Sequence, residues 1–124
     1  MPITMEPREG GRIIYFRFTE PLLVVDFAHI IEKEQALRDR ASIKIHTVAE
    51  CSKIRSVPLG TLRIVRRVPS LVHPTKGNVA VVGANEIIQP AALFVTRRLG
   101  LENVAFFSTE EDGMAHLRQI IAGE

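Results

Sequence analysis

The sequence predicts an α/β protein: a single domain of four successive strand-helix units around a mostly parallel sheet, with helices mainly on one face. Three observations carry this expectation. Residues 79–82, Val-Ala-Val-Val, are apolar without alternation, as in a strand covered on both faces near the middle of a sheet. Strand-like and helix-like periodicities alternate along the chain from residue 12 to residue 121. The chain has 124 residues, 46% of them hydrophobic and 24% charged, which is enough for one core and points to one domain over 12–124.

Residues 1–11 carry two prolines and two glycines among mixed charges and read as a leader of low order before the first element. Residues 12–18 alternate, with Ile14, Phe16 and Phe18 on one face and Ile13, Tyr15 and Arg17 on the other. Pro21 interrupts that strand. Asp26 is placed to cap, or to lie in the first turn of, a helix whose Phe27, Ile30, Ile31 and Leu37 recur at helical spacing, with the run EKEQALRDR as its solvated face.

Residues 43–49 alternate again, and Pro58 opens a second helical pattern with Leu59, Leu62, Val65 and Val68 inward and Arg63, Arg66 and Arg67 outward. Residues 70–78 read as a loop. A third helix is expected from about residue 89, because Pro90 disfavours an earlier start, and Gly100 ends it. Residues 104–107 form a short apolar strand. Ser108 or Thr109 then caps a last helix bearing Met114, Leu117, Ile120 and Ile121, weakened slightly by Gly113. The alternation in the first two strands predicts an open sheet face showing Tyr15, Arg17, Lys44 and His46.

Composition excludes several classes. No apolar run approaches the ~20 residues of a membrane span, and the N-terminus lacks a secretory pattern, so a cytoplasmic location is expected. Cys51 is the only cysteine, which rules out an intrachain disulfide. A net charge of +2 comes from nearly balanced totals and, with no aromatic residues interleaved among the arginines, argues against nucleic acid.

The stretches VAECSKI, SVPLGTL, HPTKGNVAVVGAN and FFSTEEDGMAHL resemble the STAS-like family, the domains related to anti-sigma-factor antagonists, and in particular a bacterial branch of it. The resemblance spans residues 12–121. It implies a four-turn β-α superhelical core and non-enzymatic work through protein partners. Antagonists of that family carry an Asp-Ser-Ser-Gly turn whose serine is phosphorylated. Here Val57-Pro58-Leu59-Gly60 stands in that place, with Gly60 alone retained and Ser56 out of register, so the phosphoswitch is not carried over.

The expected partner surface is therefore Ser56, Pro58 and Gly60 with Arg63, Arg66 and Arg67, for a protein partner, with a homodimer among the assemblies compatible with it. Gly83, Ala84 and Asn85 form a strand-to-helix turn whose N–H groups suit an anion, although ordinary chain reversal needs the same turn. No cofactor, metal or catalytic residue is expected: His29, His46, His73 and His116 are scattered, and His46 and Cys51 are too far apart along an extended strand to pair. The alternative function is a small apolar-ligand or lipid carrier, because STAS-like folds have distant neighbours among lipid-transfer domains and Val24, Val25, Phe27, Ile30 and Ile31 could line a pocket.

Overall fold

The computed structural model describes residues 2–58, 60, 61, 63, 73–98 and 103–124. Among them the chain forms strands β1 (Ile3–Arg8), β2 (Ile13–Thr19), β3 (Ile45–Lys53), β4 (Lys76–Val82) and β5 (Val104–Phe107), and helices α1 (Val24–Asp39), α2 (Ile88–Arg98) and α3 (Glu110–Ala122). The five strands lie in sequence order in one sheet. β1 is antiparallel to β2, and the remaining neighbours are parallel. The protein is thus α/β with a mostly parallel sheet.

Cross-strand register fixes the two faces. Tyr15, Val48, Ala80 and Ala105 are successive partners across β2 to β5, and so are Phe16, Ala49, Val81 and Phe106 one residue further along. The second row, with Ile14, Ile45 and Cys51, packs under α1 and α2 through Ile30 and Ile88. The first row, with Ile13 and Val82, packs against Met114 and Leu117 of α3. Helices therefore cover both faces. A Cβ on Gly113 would stand 2.7 Å from a methyl of Val82, so the missing side chain lets α3 seat on β4.

That arrangement corrects the expected open face. Tyr15 and His46 are buried beneath α3, whereas Arg17 and Lys44 are exposed. The expected leader holds β1, whose Ile3 and Met5 join the α1 side of the core; its Pro7 is tolerated because the strand lies at the sheet edge. The strand expected at 43–49 runs from Ile45 to Lys53, leaving Ile43 exposed.

Asp26 lies in the first turn of α1, the second of the two expected placements, and its carboxylate accepts from the N–H of Leu23 at 2.8 Å. Thr109 caps α3 as expected, its hydroxyl accepting from Asp112 N–H. Pro90 sits in the first turn of α2, where its missing donor costs little. Leu59, Leu62, Val65, Val68 and Gly100 lie outside the described residues.

Part of the run expected to be solvated is buried instead. Arg38 reaches from α1 beneath the amino end of the parallel strands, where its guanidinium donates to the carbonyls of Ile45 (3.2 Å) and Thr75 (3.1 Å), to the Thr47 hydroxyl (3.1 Å) and to Glu34 (2.8 Å). With its donors aimed at fixed oxygens, the buried charge is compensated. Lys76 Nζ lies 3.8 Å from the same Glu34 carboxylate, and burial draws the lysine below its usual range.

Candidate functional site

The segments leaving β2, β3 and β4 meet at the carboxyl edge of the sheet, on the α1 and α2 side. Pro21 stops the β2 ladder because it has no N–H. Glu20 then turns back, and its carboxylate accepts from Arg55 N–H at 2.7 Å, tying the segment after β2 to the one after β3. A Cβ built on Gly60 would touch Val24 at 3.8 Å, which brings the turn after Pro58 against the first turn of α1. Asn85 reaches from the turn after β4 toward the Ile54 carbonyl, at 3.5 Å.

Glu20, Pro21, Leu22, Ser56 and Pro58 line an open groove of about 420 Å³. Large apolar side chains are unburied at the starts of the two helices on this side: Leu23, next in the chain to Leu22, is 58% exposed, Val25 in the first turn of α1 66%, and Ile87 just before α2 65%. The edge thus carries apolar surface between a carboxylate and a hydroxyl. Ser56 and Pro58 are brought together there, Gly60 lies close by with a left-handed φ of 90°, and Arg63 is exposed one turn on. Arg66 and Arg67 lie outside the described residues.

The turn at residues 83–85, Gly83, Ala84 and Asn85, is tied into the chain at both ends. Gly83 N–H donates to Phe107 O at 2.9 Å, and the Asn85 side chain accepts from Ile87 N–H and Ile88 N–H at 2.9 and 2.8 Å. The N–H groups of Gly83, Ile87 and Ile88 are therefore engaged within the chain. The asparagine was visible in the sequence as a helix-capping residue type, and that was the signal for this arrangement.

The titratable groups raised in the sequence also separate. Cys51 is buried, and burial, reinforced by the neighbouring Glu50 charge, pushes its thiol up to about 12, far from reactive thiolate. His46 lies at the opposite end of β3: its Nδ1 accepts from Asn78 N–H at 2.9 Å and its Nε2 donates to Glu124 at 2.8 Å. Burial first, then Arg12, Lys44 and Arg38, hold it below its ordinary value. Glu124 pulls the other way, but the Asn78 N–H occupies the nitrogen a second proton would need, so the neutral ring prevails. Among the described residues no three of His, Cys, Asp and Glu converge as a metal site, and no helix is long and apolar enough to cross a membrane.

No known protein-family model matches this chain, and no curated protein matches it.

Proposed function

We propose that the chain is a STAS-like regulatory or protein-interaction module, a four-unit β-α superhelix that docks a protein partner on its carboxyl edge. The observation that carries this reading is the grouping of exposed Leu23 and Val25 with the groove formed by Pro21, Leu22, Ser56 and Pro58. Apolar side chains in water beside a shaped groove with a polar rim are what a protein interface requires. Exposed Arg63 adds a cation on the same side for an acidic rim of the partner. Because Pro58 and its neighbour Val57 offer no hydroxyl, the interaction is constitutive at this turn.

The reading is favoured over an apolar-ligand carrier by where the apolar residues go. Phe27, Ile30 and Ile31 pack into the core beneath α1, and the groove is open rather than enclosed. Crosslinking in the native host, with the wild type beside a Leu23→Glu/Val25→Glu variant, tests it. The variant should keep the fold, since both side chains are exposed, and should lose its crosslinked partner. An unchanged partner set, or lipid co-purifying with the wild type in native mass spectrometry, would overturn the reading in favour of a carrier.

A further inference from the structure

A second cavity opens at the same edge of the sheet but on the opposite face, beside the start of α3. It holds about 330 Å³ and is lined by Tyr15, Arg17, Glu50, Ser52, Lys53, Val82, Ser108 and Glu110. That volume is at the low end of small-molecule sites, roughly 300 Å³ and above. Tyr15 and Arg17 project from β2, Glu50, Ser52 and Lys53 from β3, and Ser108 follows β5, so four parallel strands converge on one opening. Ligands of open α/β sheets are characteristically held at this edge.

The lining is rich in donors that the protein does not use. Tyr15 is only 1% exposed and its hydroxyl has no partner of full hydrogen-bond geometry, although Arg17 and Glu110 both stand within side-chain hydrogen-bonding reach of it. Among the described residues exposed Arg17 and Lys53 make no ion pair, Arg17 lying 5.2 Å from the Tyr15 ring centroid, and the exposed hydroxyls of Ser52 and Ser108 make no hydrogen bond within the chain.

The two carboxylates, by contrast, are held. Glu110 is gripped by Arg8 at 2.5 Å, and that bond sets it below the usual carboxylate range. Arg8 also lies over the Tyr15 ring, 3.7 Å from its centroid, fixing the wall of the cavity. One oxygen of buried Glu50 accepts from Ser52 N–H at 2.9 Å, which leaves its other oxygen available as an acceptor. The lining holds two cations and two carboxylates, but Glu110 is already paired with Arg8, so a guanidinium, an ammonium and three hydroxyls stand against the one remaining carboxylate, Glu50.

We infer that this cavity binds the phosphoryl group of a small hydroxylated phosphate ester, with Arg17, Lys53, Tyr15 and the serines donating to the phosphoryl oxygens and Glu50 accepting from a ligand hydroxyl. A phosphoryl group has enough acceptor oxygens for that many donors, whereas a carboxylate has two. The pairing of a surplus of donors with a single available carboxylate oxygen distinguishes a hydroxylated ester from bare phosphate.

The test is a nuclear magnetic resonance titration of the full chain with inorganic phosphate and with glycerol phosphate, alongside co-sedimentation with phosphatidylglycerol vesicles. Both soluble probes should shift the amides of Ser52, Lys53 and Ser108, with glycerol phosphate binding more tightly. Arg17→Gln/Lys53→Gln should weaken both by about tenfold or more. Tyr15→Phe should weaken both less, and Glu50→Gln should erase the preference for glycerol phosphate while leaving phosphate binding in place. Vesicle capture that is lost in the Arg17→Gln/Lys53→Gln variant would assign the phosphoryl group to a lipid headgroup; capture of glycerol phosphate alone would assign it to a free metabolite. Absent or scattered amide shifts, equal affinity for the two soluble probes, or undiminished binding in the double variant would overturn the proposal.

Discussion

The two ends of the parallel strands treat their polar groups in opposite ways. At the amino end, Arg38 spends its guanidinium on two carbonyls, a hydroxyl and a carboxylate, and His46 has a partner on each ring nitrogen. At the carboxyl end, exposed Arg17 and Lys53 stand without ion pairs among the described residues, and Leu23 and Val25 face water. Folding alone favours the first arrangement, because buried polar groups without partners are costly. One end is sealed by its own side chains, and the other, where both proposed sites lie, leaves polar and apolar side chains open to solvent.

Substitutions sharpen this contrast in order of size. Val81→Asp should have the largest effect, since Val81 is buried between Ala49 and Phe106 under the α1 and α2 side; an unpaired charge there should prevent folding, seen as loss of the cooperative denaturant transition. A stable, cooperative Val81→Asp protein would break the assignment of the central strand.

Gly83→Ala comes next. Gly83 has φ 70°, and a Cβ there would lie 2.8 Å from the Ser52 Cβ, so strain and crowding together should cost about 1–3 kcal/mol in chemical denaturation. A neutral substitution would mean the turn after β4 is not held as described.

The sealed amino end also predicts a pH dependence. His46 is held below its ordinary value of 6.5, so the folded state favours the neutral ring. That contribution to stability is complete above the ordinary histidine range and is lost as pH falls below it, because the unfolded chain then takes up the proton first. In a proton NMR titration the His46 ring should protonate below the ordinary histidine value of 6.5, and a midpoint at or above 6.5 would contradict the neutral assignment.

The smallest effect is expected for Lys44→Asp. This side chain is exposed beside the sealed end without taking part in it, and its substitution should change stability by no more than about 0.5 kcal/mol.

Much of this framework is legible in the sequence where burial and periodicity agree. The apolar run in β4, the short β5 and the Thr109 cap of α3 announce themselves because each depends on local residue type. β1 is missed because Pro7 and the glycines after it look like a leader; the alternation of Ile3 and Met5 with Thr4 and Glu6 was the available signal. Arg38 and Glu34 are missed for another reason: on a helical wheel they look like solvated charges, and only the approach of Ile45 and Thr75 from distant sequence makes their burial favourable. The carboxyl edge is half legible. Ser56, Pro58 and Gly60 follow from the motif position, whereas their juxtaposition with Glu20 and Leu22 depends on chain packing, as does the cavity around Tyr15.

The central claim, that one end of the sheet is committed to the fold and the other is not, is tested most directly by comparing Arg38→Ala with Arg17→Gln/Lys53→Gln in denaturant unfolding. Arg38→Ala should lose about 3–5 kcal/mol, because it leaves the Glu34 carboxylate and two carbonyls buried without their cation. The double variant should unfold within about 1 kcal/mol of the wild type, as two independent surface substitutions would. Equal losses, or a greater loss in the double variant, would contradict the claim.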